Sequence, residues 1–248
     1  MKKESISICK IKNGTVFLCE DETAVEAVYQ VYLNGEKAFR VSCTPDDLKE
    51  LITGRLYTGK LIRKKQEIDE IIILEEKQEI YVKIKKESFR KNTENHLPKE
   101  TEQKETILQD RRIPDPKELF SIADHIFENP GELFRDTGCA HSCVLWKSGE
   151  ICCRYEDIGR HNALDKVAGY MLLKDISPEN GVIFTSGRIS ADYLEKVIAA
   201  GLSAVVSKAA VTEAAIHMAR KNKIIMYGFV RNGNGNLYSD SMSENRFL

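Results

Sequence analysis

The run TGCAHSC at 137–143 puts two thiols around an imidazole, and EDIGRHN at 156–162 adds carboxylates, a guanidinium and a second imidazole. If the first run is extended, Cys139, His141 and Cys143 share one face by two-residue alternation. An imidazolium there would lower a thiol pKa. The resulting thiolate can attack sulfur, carry a persulfide or bind metal. The same spacing also fits cysteines packed as small apolar side chains in a strand. A metal centre would lack a fourth ligand, since the adjacent Cys152 and Cys153 point to opposite faces of any strand they occupy. Hydrolytic deamination is not expected: the zinc signature H-x-E with P-C-x-x-C is missing, His141 being followed by Ser142 and Cys143.

Four polar segments stand where strands are expected to end and helices to begin, the usual place for ligands in open α/β sheets. Residues 156–162 lead with Arg160, His161 and Asn162 into one helix. Residues 185–190 bring Ser186, Gly187 and Arg188, with Ser190 expected to cap the next helix. Lys208 precedes a third helix, and Phe229, Val230, Arg231, Asn232, Gly233 and Asn234 follow a strand expected to end at Tyr227. Helix starts offer unpaired N–H groups and partial positive charge, so Arg160, Arg188, Lys208 and Arg231 beside them make a receptor for phosphate or pyrophosphate. Neither the phosphate loop of nucleotide hydrolases nor the spaced glycines of dinucleotide-binding folds occurs.

The elements that must position these groups are readable from periodicity. Up to residue 85 the chain is strand-like, with short β-branched runs and a hairpin signal at Asn34-Gly35. One helix interrupts it: Thr44 is expected as cap, Pro45 in the first turn, and Leu48, Leu51, Ile52 and Leu56 on one face, with Gly54 merely tolerated inside. Residues 86–112 are charged and without sustained period, as in a linker or flap, and His96 is expected to be an exposed residue of it. From 113 onward helices and strands alternate. The reading is a mainly antiparallel β-rich domain over 1–85, a charged linker over 86–112 and an α/β domain with a mixed sheet over 113–248.

Composition narrows the classes. In 248 residues, 42% are hydrophobic, enough for a substantial core, and 37 basic residues against 38 acidic ones leave a net charge of -1. No global basic field draws the chain to nucleic acid or an anionic membrane, and no run approaches the roughly 20 apolar residues of a membrane span. Seven scattered cysteines do not form a secreted disulfide framework, so reduced thiols and a cytoplasmic setting are expected.

The segments TGCAHSCVLW, EDIGRHNALDKVAGYML, TSGRIS, LEKVIAAG and GFVRNGNGNLYS resemble, in order, those of the FdhD family, the formate dehydrogenase accessory sulfurtransferases, and VYLNGEKAFRVSCTPDDLKELITGRLYTGKLI resembles its N-terminal block. The resemblance implies a cytidine-deaminase-like three-layer fold without catalytic zinc, and a dimer. It implies a protein that accepts persulfide sulfur from a cysteine desulfurase and passes it to the molybdenum or tungsten bis(molybdopterin guanine dinucleotide) cofactor of formate dehydrogenase. The family's cofactor-binding run falls on Phe229 to Asn234. The family's sulfur-carrying C-x-x-C belongs in the region 87–112, which here holds no cysteine. Cys139, with Cys143 as second thiol and His141 beside them, is expected to have taken that role; the alternative is a cofactor-binding chaperone that moves no sulfur.

Overall fold

The computed structural model describes residues 2–85 and 113–240; the expected linker, His96 included, lies outside them. Strands β1 (Lys3–Lys12) and β2 (Thr15–Ala24) form an antiparallel arm that turns at Asn13 and Gly14, both with positive φ. Strands β3 (Ala27–Leu33) and β4 (Glu36–Cys43) turn at Asn34-Gly35 as expected, with φ of 51° and 90°. With β5 (Ile68–Leu74) and β6 (Glu79–Ile84) they build a sheet of order β4-β3-β6-β5. The β3–β6 pair is parallel, which the span between them permits because it carries a whole helix. That helix, α1 (Leu48–Thr58), covers the sheet with Leu51, Ile52 and Leu56 packed against Tyr29, Val31 and Ile80.

Two expectations about α1 fail for tertiary reasons. Its cap position is Asp47, in left-handed conformation, not Thr44. Thr44 is fully buried, donating its N–H to the Asp157 carboxylate (3.3 Å) and accepting the Ile158 N–H at its hydroxyl (3.2 Å). Gly54 is required rather than tolerated: a Cβ there would sit 1.7 Å from the Asp165 carbonyl oxygen.

The second half starts with α2 (Pro116–Glu128), capped by Asp115, whose carboxylate accepts the N–H groups of Lys117 and Glu118. A short helix that periodicity did not reveal, α3 (Glu132–Thr137), follows; Glu156 accepts its Leu133 N–H at 2.9 Å. Then come β7 (His141–Lys147), β8 (Glu150–Asp157), α4 (Arg160–Leu173), β9 (Val182–Thr185), α5 (Ala191–Ala199), β10 (Ala204–Ser207), α6 (Glu213–Lys221), β11 (Ile225–Arg231) and β12 (Asn234–Ser239). The mixed sheet runs β12-β11-β10-β9-β7-β8, parallel through β9, β10 and β11 and antiparallel elsewhere. One face packs Val144, Phe184 and Val206 under α2; the other packs Leu145, Ile183 and Val205 under α4, α5 and α6. The result is three layers. α1 crosses α4 backbone to backbone at Gly54 and Gly169, which joins the two halves.

Candidate functional site

Because β7 runs antiparallel to β9, the start of β7 lies beside the carboxyl ends of β9 and β10. The Ser186 N–H donates to the Ser142 carbonyl (3.0 Å), the Ser142 N–H donates to the Ser186 hydroxyl (2.9 Å), and that hydroxyl stands 3.5 Å from His141 Nδ1. Above this junction opens a cleft of about 420 Å³, within the roughly 300–1,000 Å³ of small-ligand sites. Cys139, His141, Ser186 and Lys208 line it together, and of the four cations expected to make a phosphate receptor, Arg160, Arg188, Lys208 and Arg231, it is Lys208 alone that does so. Its apolar wall comes from Ile126 and Phe127 at the end of α2, Pro130, and Phe134 on α3.

Cys139 is exposed, follows Gly138 (φ 66°) and donates its N–H to the Thr137 hydroxyl at 3.0 Å. This sharp bend precedes β7, so Cys139 is not part of the strand and the expected common face fails. Cys143 lies fully buried in the layer beneath α4–α6, 3.8 Å from the Tyr193 hydroxyl, and burial pushes its thiol far up. It is a core residue, and the expectation of a second reactive thiol there is withdrawn. The imidazolium expectation changes as well. Burial, then the nearby Arg160 and Arg188 guanidiniums, hold His141 below the ordinary 6.5, so at neutral pH it is an uncharged acceptor.

Arg160 packs behind the cleft: a Cβ on Gly187 would meet its Cβ at 3.0 Å and His141 Nδ1 at 3.4 Å, and its guanidinium donates to the Ser190 hydroxyl at 3.1 Å. Ser190 occupies the cap position of α5, but its side chain makes no capping bond. Arg188 is exposed. His161 pairs with Asp192 (2.9 Å), lies 5.6 Å from the Tyr193 ring at a 59° tilt and is also pushed down, chiefly by burial. Asn162 is structural, donating to the Ser42 carbonyl (2.7 Å) and the Asp157 carboxylate (2.9 Å). Asp157 also pairs with the wholly buried Lys166 at 2.9 Å, which locks the loop ahead of α4.

The C-terminal run is divided. β11 extends through Arg231 instead of ending at Tyr227; Phe229, with φ 54° and its N–H on the Ala209 carbonyl, makes the irregularity that allows it. Val230 is fully buried in the core under α2, so its side chain offers a ligand nothing. Arg231, Asn232, Gly233 and Asn234 form the exposed hairpin turn. Gly233 donates to Asp124 at 2.6 Å and borders a second groove, along α2, with Lys117 and Phe120.

Sequence reasoning missed Ser142, Arg154 and the aromatic wall. Ser142 was passed over as the residue between two candidate ligands. Its hydroxyl is buried at the cleft without a hydrogen-bond partner, as is Arg160 Nε behind it. Arg154 lines the cleft while donating to the Ile126 carbonyl. Phe127, at the end of α2 just before Asn129-Pro130-Gly131, packs against the core and also lines the cleft. Among the described residues no group of three His, Cys, Asp or Glu side chains is placed to hold a metal ion.

A solved structure of a protein from Desulfotalea psychrophila, described as a formate dehydrogenase accessory protein, superposes with a TM-score of 0.79 over 100% of both chains at 24% identity, a likeness of fold. The sulfur carrier protein FdhD of Bacillus licheniformis is 34% identical over 250 residues, covering 95% of this chain and 94% of its own. The sulfur carrier protein FdhD of Bacillus subtilis is 32% identical over 247 residues, covering 94% of each. The model of the FdhD/NarQ family matches residues 24–244, and the chain belongs to that family.

Proposed function

We propose that this protein is a sulfurtransferase that takes sulfane sulfur from a cysteine desulfurase onto Cys139 and passes it to the bis(molybdopterin guanine dinucleotide) cofactor, as molybdenum or tungsten form, on its way to formate dehydrogenase. The names of the sequence relatives support a sulfur carrier, and the description of the Desulfotalea psychrophila structure supports a formate dehydrogenase accessory. The observation that carries the assignment to Cys139 is its position: an exposed thiol that also lines the cleft, beside His141, Ser186 and Lys208. Three layers around a mixed sheet support the cytidine-deaminase-like fold expected from the resemblance. The cofactor is cargo here, and a cytoplasmic homodimer completes the reading.

In the loading step the Cys139 thiolate attacks the outer sulfur of the desulfurase persulfide. The new S–S bond forms on Cys139, the bond within the donor breaks, and the donor cysteine leaves as thiolate and takes up the proton that Cys139 gave. One sulfane sulfur changes hands with no net oxidation. His141, which lines the same cleft as Cys139 and is uncharged, is the group we assign to receive the thiol proton in transit.

The second reading, a chaperone that holds the cofactor without moving sulfur, is favoured by the missing C-x-x-C and by the burial of Cys143. Incubation with a desulfurase and ³⁵S-cysteine, followed by peptide mapping, separates the two. Label on Cys139, none on Cys143, and its loss in Cys139→Ser support transfer. A Cys139→Ser protein that loads and delivers sulfur as well as the native one removes Cys139 from the role, and an unlabelled native protein leaves the chaperone.

A further inference from the structure

We infer that the Cys139 cleft seats the pterin ring of the cofactor, the end that bears the metal, and that the guanine end lies outside it. This rests on the sulfur-transfer reading above. Transfer requires the acceptor within about 3–3.5 Å of the donated sulfur. The metal sits between the dithiolenes of the cofactor's two pterins, and each guanine is the far end of its own dinucleotide, so the cleft takes one of the two pterins. A thiol lining the cleft therefore demands the pterin end there.

The shape of the cleft agrees. At about 420 Å³ it has room for one ring system and its near substituents, not for a whole dinucleotide. One wall is aromatic: Phe127 has the Lys208 ammonium 5.9 Å from its ring centre, and Phe134 stays 43% exposed, a large ring uncovered beside a cavity. Facing it is a polar wall in which the buried Ser142 hydroxyl has no partner. A buried hydroxyl without a partner is destabilising unless something binds it, so it marks where a ligand's polar edge belongs. A flat heterocycle with an apolar face and a rim of donors and acceptors satisfies both walls at once.

The turn at Arg231–Asn234, on which the family's cofactor-binding run falls, is absent from the cleft lining, and its Gly233 borders the groove along α2. Phe229 joins the two places, since its N–H is held by Ala209, the neighbour of Lys208. An extended dinucleotide would run from the cleft past Phe229 to the turn.

The test is competition for Cys139. Alkylation by iodoacetamide is followed by mass spectrometry, with exposed Cys9 on the β1–β2 arm as internal control. Added 6-hydroxymethylpterin should slow modification of Cys139 and leave Cys9 unchanged, whereas GDP should protect neither. In Phe134→Ala, a change at a half-exposed position, the half-protecting pterin concentration should rise about three- to tenfold. Protection of Cys139 by GDP, or by neither compound, overturns the inference, as does an unchanged pterin response in Phe134→Ala. The sulfur-loading assay is read separately: a Cys139 that loads sulfur but is not protected by pterin removes only this inference, and one that is protected but never loads removes only the sulfur reading.

Discussion

Gly54→Ala tests the join between the two halves of the fold, because two general effects predict opposite signs for it. Helix propensity alone favours Ala over Gly by about 0.8–1 kcal/mol at an interior helix position. The structure predicts the reverse. The added Cβ would lie 1.7 Å from the Asp165 carbonyl oxygen and 2.7 Å from the Gly169 nitrogen, where real Cβ contacts essentially never fall below 3.0 Å. The obstacle is main chain, so no rotamer relieves it, and α1 and α4 must part by more than about 1 Å. Overpacking of this kind costs about 3 kcal/mol or more when backbone has to move. After the propensity gain, the net loss is about 2 kcal/mol, or a Tm lower by about 4–8 °C for a chain of this size. Urea unfolding followed by circular dichroism should show a reduced midpoint with an unchanged slope. Gly169→Ala, whose Cβ would meet the Glu50 carbonyl oxygen at 1.9 Å, should behave alike, and the double variant should lose less than the sum, since one separation serves both. A Gly54→Ala protein as stable as the native one, or more stable, would refute the close crossing.

Lys166→Met should cost about 3–5 kcal/mol in the same unfolding assay, because it strands the fully buried Asp157 carboxylate without its ammonium partner; a loss under about 1 kcal/mol would mean that Asn162 and the Thr44 and Gly159 N–H groups suffice. The pH dependence is set by His141 and His161, both held below the ordinary 6.5 mainly by burial. Between their folded values and about 6.5 the unfolded chain binds more protons, so stability is full above about pH 6.5 and falls as pH drops below it. Urea midpoints at pH 7.5 and 5.5 should differ in that direction, less so in His141→Gln; a midpoint that rises toward pH 5.5 contradicts the assignment.

Elements defined by their own period were legible in the sequence. The β3–β4 hairpin turns at Asn34-Gly35, and α1 buries Leu48, Leu51, Ile52 and Leu56, because these segments carry their own turn signal or bury a face that repeats along the chain. Where a distant partner decides, local signals misled. Thr44 reads as a cap, yet Asp157 claims its N–H and Ile158 its hydroxyl. Gly54 reads as a tolerated weakness, yet α4 passes too close for any side chain. In the site, Ser186 and Lys208 meet because the neighbouring strands β9 and β10 end beside each other, whereas Arg160, Arg188 and Arg231, named with them, do not line the cleft. The aromatic wall was not legible, since Phe127 obeys the same helical spacing as the core residues beside it. Cys139 and Cys143 were joined by an alternation that the turn at Gly138 interrupts.

That turn bears on how one cysteine can do the work of a pair in a loop. A carrier thiol has to meet a protein donor outside and a small acceptor inside. A cysteine on a movable segment meets both by travelling. Gly138 ends α3 in left-handed conformation and sets Cys139 at the rim, with its N–H fixed on Thr137, two residues ahead of a strand in the central sheet. From the rim the sulfur is open to solvent and lines the cleft at once. In the proposed transfer, accepting and donating from there would need only rotation about the cysteine side-chain bonds, the persulfide's outer sulfur, about 2 Å beyond Sγ, swinging between the two sides. On this geometry the missing C-x-x-C is compatible with transfer, provided the acceptor atom comes to the thiol, which is what a pterin seat in the cleft would supply.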